Sequence, residues 1–374
     1  MLRKLFFAVS ATLVLFTSTN AQEDSTKSVV ISGNADVYFR HNFGAGKDGF
    51  GDAYTNNYTS FTNSQSSFEL GMASIRADIS ALSGKVGAVI DLGFGRRAEE
   101  FSYADGELVQ GKNGFISLSN VKQAYITYQP ISAVKFTVGK FATHIGYELL
   151  DAPLNRNYSM SYMFTNGPFF HTGLKADITA GPVGFMVGVA NYTDLSTRYM
   201  APGVPITSVK GLLGQFSGGF GKIKFYLNYA GFFGSEGGAN PSELKSLNQI
   251  DLVVLGTVSD KFNIGFNGTL QSRTPTDGNG ESGSWKGLAG YFNFDPTAKV
   301  GLTLRSEYIM DGDMVYFGTE SIFANTLSLN WKLGPLTIIP ELRYETADSE
   351  FYLDKDATPT KSTFSALAAV VFKF

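Results

Sequence analysis

The sequence predicts an all-β chain, a transmembrane up-and-down antiparallel β-barrel of about sixteen strands, with short periplasmic turns and long extracellular loops. Three observations predict it. Apolar and polar residues alternate with period two over many segments. Short and long links alternate between those segments. The last segment presents one continuous apolar face that ends in Phe374.

The alternation is direct to read. Val29, Ile31, Gly33, Ala35, Val37 and Phe39 share one face, and Val30, Ser32, Asn34, Asp36, Tyr38 and Arg40 share the other. The segments beginning at Phe262, Val300 and Leu336 repeat the pattern. Successive side chains of a strand point to opposite faces, so each segment has an apolar and a polar side. A soluble sandwich shows the same alternation, and the links separate the two cases. Short links fall near Leu82–Lys85, Pro130–Ser132, Ala180–Pro182, Gly219–Lys222, Ser259–Lys261, Pro296–Lys299 and Gly334–Pro335. Long polar links fall between them, at His41–Gln65, Ala98–Gly114, Thr143–Phe169, Asp194–Ser208, Phe233–Leu247, Arg273–Ser284, Met310–Ser321 and Thr346–Thr360. A barrel with turns on one rim and loops on the other produces that order. Phe68–Ile79 and Trp285–Phe294 alternate poorly and are expected to hold bulges. Tyr38, Phe39, Tyr128, Tyr229, Phe232, Tyr291, Tyr308 and Tyr344 sit near segment ends, where girdles at the two membrane interfaces place aromatic rings.

Residues 1–21 read as a cleavable signal peptide, with Arg3 and Lys4 before an apolar stretch too short to span a bilayer and Thr19-Asn20-Ala21 as the cleavage site. Residues 22–374 form the barrel, and the polar Gln22–Lys27 lead-in is too short for the plug of a gated uptake transporter. Glycine is frequent, with 42 residues, and phenylalanine contributes 32, whereas cysteine is absent. That excludes disulfides and cysteine metal sites and suits a membrane barrel. The net charge of −3 gives no case for nucleic-acid binding. On the final strand, Phe364, Ala366, Ala368, Val370, Phe372 and Phe374 form the apolar face. Phe372 and Phe374 resemble the signal recognised by the outer-membrane assembly machinery, which with outer-membrane lipid is an expected partner.

If the apolar faces meet lipid, the polar faces line the lumen. The expected wall charges are Asp36, Arg40, Asp91, Lys175, Arg305, Glu307, Glu341, Arg343 and Glu345. A barrel of about sixteen strands is too wide for side chains to fill, so water is expected to solvate them. The predicted function is passive diffusion of small hydrophilic solutes through a water-filled channel. The link 143–170 is too apolar to wave in solvent and is expected to fold inward and narrow the pore, with Glu148, Asp151 and Arg156 as constriction charges.

The strings Lys122-Gln123-Ala124-Tyr125, Gly139-Lys140-Phe141, Ile145-Gly146-Tyr147-Glu148, Asn155-Arg156-Asn157-Tyr158-Ser159 and Pro168-Phe169-Phe170-His171-Thr172-Gly173 carry a family likeness. With Arg305-Ser306-Glu307-Tyr308 on a late strand, the chain resembles the OmpL-like β-barrel porins over most of its mature length. The resemblance implies a porin of the Gram-negative outer membrane and leaves the solute open. The Gly-Lys-Phe and Gly-Tyr-Glu portion is similar, more loosely, to phosphate-selective porins. Their selectivity rests on clustered basic residues, and the presumed third loop holds only Arg156 beside Glu148 and Asp151.

Other classes are weaker. A hydrolase needs a nucleophile, a histidine and an orienting partner. The three histidines, His41, His144 and His171, follow no such pattern, no Gly-x-Ser-x-Gly elbow occurs, and no enzymatic activity is expected. Asp311 and Asp313 around Gly312 read as a turn, and no cofactor or metal is expected. A structural or adhesion barrel with a closed lumen is the remaining alternative. Barrels of this size often form trimers, so a homotrimer is a possible assembly.

Overall fold

The computed structural model describes residues 27–46, 54–103, 118–196, 210–233, 244–275, 281–314 and 316–374. The expected leader, residues 1–21, lies outside the described residues, as do parts of the long links. The strands are β1 (Ser28–Asn42), β2 (Ser67–Ala81), β3 (Val86–Phe94), β4 (Val121–Ile131), β5 (Val134–Ala142), β6 (Phe170–Ala180), β7 (Val183–Ala190), β8 (Lys210–Phe220) and β9 (Ile223–Phe233). They continue with β10 (Leu244–Ser259), β11 (Phe262–Pro275), β12 (Gly283–Thr297), β13 (Val300–Met310), β14 (Ser321–Leu333), β15 (Leu336–Ala347) and β18 (Ser362–Lys373). The last long link holds a two-stranded hairpin of β16 (Tyr352–Leu353) and β17 (Pro359–Thr360).

The sixteen long strands form one closed antiparallel barrel in which each pairs with its neighbours in sequence and β18 returns to β1. Closure leaves the sheet without an open edge, which the hydrocarbon of a bilayer requires. At the seam Gly33 N–H donates to Phe374 O at 3.1 Å, and Phe374 N–H donates to Gly33 O at 3.0 Å. No described helix is long and apolar enough to cross a membrane. The seven short links fall on one rim and the eight long links on the other, as the sequence predicts. Two short links are Gly-Pro pairs, Gly181-Pro182 and Gly334-Pro335. Their glycines sit at φ 61° and 66°, the conformation a two-residue type II′ turn needs at its first central position.

Burial separates the two faces. On β13, Gly301, Thr303, Arg305, Glu307 and Ile309 are buried, while Leu302, Leu304 and Tyr308 are exposed. The outward face is therefore apolar all round, with Ile126, Val187, Leu212, Ile250, Phe292, Phe323 and Val370 among its exposed residues. The expected bulge in Phe68–Ile79 is present. The register between β1 and β2 shifts at Asp36/Val37 and leaves Gly71 as the extra residue. A side chain there would collide with the Asp36 carboxylate and the Tyr158 hydroxyl.

Two expectations need correcting. Trp285–Phe294 holds no bulge; its pairing with β11 is continuous. Tyr38, Phe232 and Tyr291 are not girdle residues, because they are buried on the inner face. One cause explains both. Trp285, Ala289 and Tyr291 face inward yet pack against Tyr162, Met163 and Tyr147 of the third long link. Apolar residues therefore stand where the polarity pattern expects water.

Leu304 lies mid-strand on the outward face. Leu304→Arg is expected to destabilise the folded barrel by about 2–4 kcal/mol. Urea unfolding in lipid vesicles measures it, and an unchanged midpoint would place that face away from lipid.

Candidate functional site

The third long link, between β5 and β6, runs inside the barrel and touches its wall on several sides. Its Tyr158–Tyr162 segment lies on the inner face of β13–β15. Glu341 accepts from the Tyr158 N–H at 2.9 Å, the Ser159 N–H at 3.3 Å and the Ser159 hydroxyl. Glu307 accepts from the Tyr162 N–H, and Glu148 from the Ser161 N–H, both at 2.8 Å. The Arg305 guanidinium donates to the Ser159 carbonyl at 2.7 Å, the Met160 carbonyl at 3.1 Å and the Glu148 carboxylate at 2.6 Å. Arg343 donates to the same Met160 carbonyl at 3.0 Å and to Glu345 at 2.9 Å, and lies 3.3 Å from Glu307. Arg305 is fully buried. A charge so placed is tolerated only when paired and hydrogen-bonded, and this one is both.

The rest of the link is tied to other parts of the wall. Arg156 forms a two-pronged pair with Asp295 at 3.0 and 2.9 Å. Asp151 pairs with Lys122 at 2.6 Å, and Lys122 also reaches Asp91 at 3.0 Å. The Tyr158 hydroxyl donates to Asp36. Across the lumen, Gly146 N–H donates to Asp251 at 3.0 Å, His144 contacts the Tyr229 carbonyl at 3.0 Å, and Gln271 donates to the Asn166 carbonyl at 2.9 Å.

All nine expected wall charges face inward, but eight of them are buried in contacts instead of standing in an open lumen. Asp36, Arg40, Asp91, Arg305, Glu307, Glu341, Arg343 and Glu345 are buried. Arg40 holds the first long link through the carbonyls of Thr55 and Ser64, both at 3.0 Å. Lys175 stays half-buried and pairs with Asp177 at 3.2 Å. Glu148, Asp151 and Arg156 each go to a different wall partner, so the structure does not bring them together as one ring of charge. His144 goes to yet another, so no histidine–acid pair forms among these four. Asp311 accepts the Tyr316 and Phe317 N–H groups and so closes its turn.

Several residues were not found by reading the sequence. Lys122 and Asp295 occupy ordinary strand positions. Arg97, on the short helix Arg96–Phe101, is buried and donates to the Leu150 and Tyr158 carbonyls at 3.1 Å each, joining the second long link to the third. Asp194, after β7, accepts from the N–H groups of Phe169 at 2.7 Å and Phe170 at 3.1 Å. Burial pushes its carboxyl up to about 6, against the pull of those N–H groups, the Tyr103 hydroxyl and Lys140.

Space remains on both sides of the link. One cavity of about 430 Å³ lies between Ala142–Arg156 and the wall at Gln215, Tyr226, Asn228, Val253 and Leu255. A second, of about 370 Å³, borders Arg76, Asp91, Lys122 and Asp151 and shares Phe101, Leu149, Leu150 and Leu154 with the first. A third, of about 450 Å³, lies towards the long-link rim among Tyr103, Asn166, Phe169, Tyr192, Gln271 and Tyr316.

A closed sixteen-stranded barrel with an inward link and internal cavities is a porin architecture, and the family profile agrees, matching residues 28–374. The chain belongs to the family described as "Putative beta-barrel porin-2, OmpL-like". It is an integral outer-membrane porin. Solved structures with the same fold include the outer membrane channel DcaP of Acinetobacter baumannii, with TM-score 0.60, 13% identity, and coverage of 93% of this chain and 97% of that one. The anion-selective porin from Comamonas acidovorans matches with TM-score 0.60, 12% identity, and coverage of 93% and 100%. The trimer form of OmpT from Vibrio cholerae matches with TM-score 0.58, 11% identity, and coverage of 93% and 99%. Identities this low speak to fold alone. No curated protein matches by sequence.

Two outcomes follow for this porin. Arg305→Ala leaves Glu148 and Glu307 buried without their shared partner, at a cost of about 3–5 kcal/mol. Trypsin is expected to cut after Arg156 in the folded variant and to spare the wild type; equal resistance would show that Arg305 does not hold the loop. Asp194 titrates the other way from a salt-bridged acid. Its folded value lies above the ordinary 3.8, so the ionised form is penalised above about pH 6 and the penalty fades as pH falls towards 4. Wild type is therefore expected to gain stability relative to Asp194→Asn between pH 7 and pH 4. A pH-independent difference in urea midpoints would assign that titration elsewhere.

Proposed function

We propose that the porin passes small hydrophilic solutes by passive diffusion, with the link 143–170 as its constriction and Glu148, Asp151 and Arg156 as constriction charges. The observation that carries this reading is the pair of cavities inside the barrel bordered by those residues, Glu148 and Arg156 on one and Asp151 on the other. The wall charges Asp36, Asp91, Arg305, Glu307, Glu341, Arg343 and Glu345 then serve mainly to hold the constriction in place, while Arg40 holds the first long link and Lys175 pairs with Asp177. No catalytic step is part of this reading. The scattered partners of His144, Glu148 and Asp151 support that.

A closed-lumen structural barrel is the second reading, and the wall-to-wall contacts of the link favour it. Planar-bilayer recording separates the two. Discrete channels are expected from the purified folded protein, and silence would overturn diffusion in favour of the closed barrel. Neutralising Glu148, Asp151 and Arg156 together is expected to change conductance or ion preference, and an unchanged record would remove them from the constriction.

A homotrimer is proposed by likeness to the trimer form of a structural neighbour, OmpT of Vibrio cholerae; a monomer mass in mild detergent would overturn it. Phe372 and Phe374 are proposed as the assembly signal, supported by the place of Phe374 at the closing seam.

A further inference from the structure

We propose that the Phe169 ring is the gate of this porin, a hydrophobic partition that separates the outer cavity from the inner ones. The inference rests on the diffusion reading above. Phe169 is the one described residue that borders both the outer cavity and the larger inner cavity, and the second inner cavity shares no described lining residue with the outer one. The ring is 5% exposed. It stacks on Phe101 at 5.8 Å and on Phe164 at 5.4 Å, with Phe61 at 5.7 Å and Tyr103 edge-on at 6.2 Å. These rings come from the first three long links, so the partition forms only when all three fold inward.

The backbone at this position is held by hydrogen bonds, and the side chain is held by ring contacts alone. Phe169 N–H is held by the Asp194 carboxylate at 2.7 Å, and Phe169 carbonyl accepts from Thr143 N–H at 3.1 Å. Rotation of the ring is then the smallest movement that joins the cavities, and it breaks neither bond. An apolar ring between two cavities also excludes ions by dewetting, with no charge required. Aromatic contacts with Phe101, Phe164, Phe61 and Tyr103 supply the closing force.

The experiment compares wild type with Phe169→Ala, Phe169→Cys, Phe169→Trp and the lipid-facing control Phe323→Ala in planar bilayers, each first shown to be folded by heat-modifiable migration. Phe169→Ala and Phe169→Cys are expected to raise conductance severalfold, Phe169→Trp to hold it at or below wild type, and Phe323→Ala to leave it unchanged. The chain has no cysteine, so the thiol of Phe169→Cys is unique. A cationic methanethiosulfonate reagent is expected to return that variant's conductance towards wild type. Equal conductance in all proteins, with no reagent effect, overturns the gate and leaves the porin reading standing. A rise in Phe323→Ala as large as in Phe169→Ala overturns it as general loosening. Silence in every folded protein overturns diffusion and the gate together.

Discussion

A loop folded into a barrel carries peptide groups to a place where the wall offers only side chains. Each N–H and C=O placed there needs a partner or costs free energy. Here the partners are charged. Glu341, Glu307 and Glu148 take the N–H groups of Tyr158, Ser159, Tyr162 and Ser161, while Arg305 and Arg343 take the carbonyls of Ser159 and Met160. The dependence is mutual. Without the loop the wall side chains Glu307, Glu341, Arg305 and Arg343 would face open lumen, and without them its backbone could not rest against a wall. Hydrogen bonds to charged groups contribute about 1.5–3 kcal/mol each, so a short contact segment suffices.

The same constraint decides which parts of the molecule can be read from its sequence. Strand number, closure order and the two rims are legible because a tilted strand has a fixed length and a fixed side-chain period. Alternation tells which face a residue occupies, not what lies against that face. Arg305 and Glu307 are therefore placed correctly on the inner wall, yet their burial is invisible until the loop is in position. Trp285 and Tyr291 mislead for the converse reason: they face inward but meet Met163 and Tyr147 in place of water. The apolar character of 143–170 does show that this link seeks cover. Its anchors are a different matter. Arg156 and Asp295 are 139 residues apart, and neither Lys122 nor Asp194 stands in any local pattern.

Width alone does not make a lumen wet. A barrel of this strand number cannot be filled by its own wall, and that part of the size argument holds. What it omits is that long links can enter. The first three do so here, through the contacts of Arg40, Arg97 and Arg305 respectively. Among the described residues, water-accessible volume remains in cavities on either side of the packed link.

That arrangement bears on selectivity. A charge that is neutralised in holding the loop exerts little field on a passing ion. The pairs with a member on a cavity wall are Lys122 with Asp91 and Asp151, Glu148 with Arg305, Arg156 with Asp295 and Arg76 with Asp78, each within 3.0 Å. Paired charges act as dipoles whose field falls off faster than that of a single charge, and salt screens the remainder over about 8–10 Å. The first cavity's far wall, at Gln215, Tyr226, Asn228, Val253 and Leu255, is uncharged. On the proposed diffusion reading, discrimination by sign of charge is therefore weak. Size and the wetting of an aromatic partition remain as the filters, and both act on a solute's bulk and hydration more than on its charge.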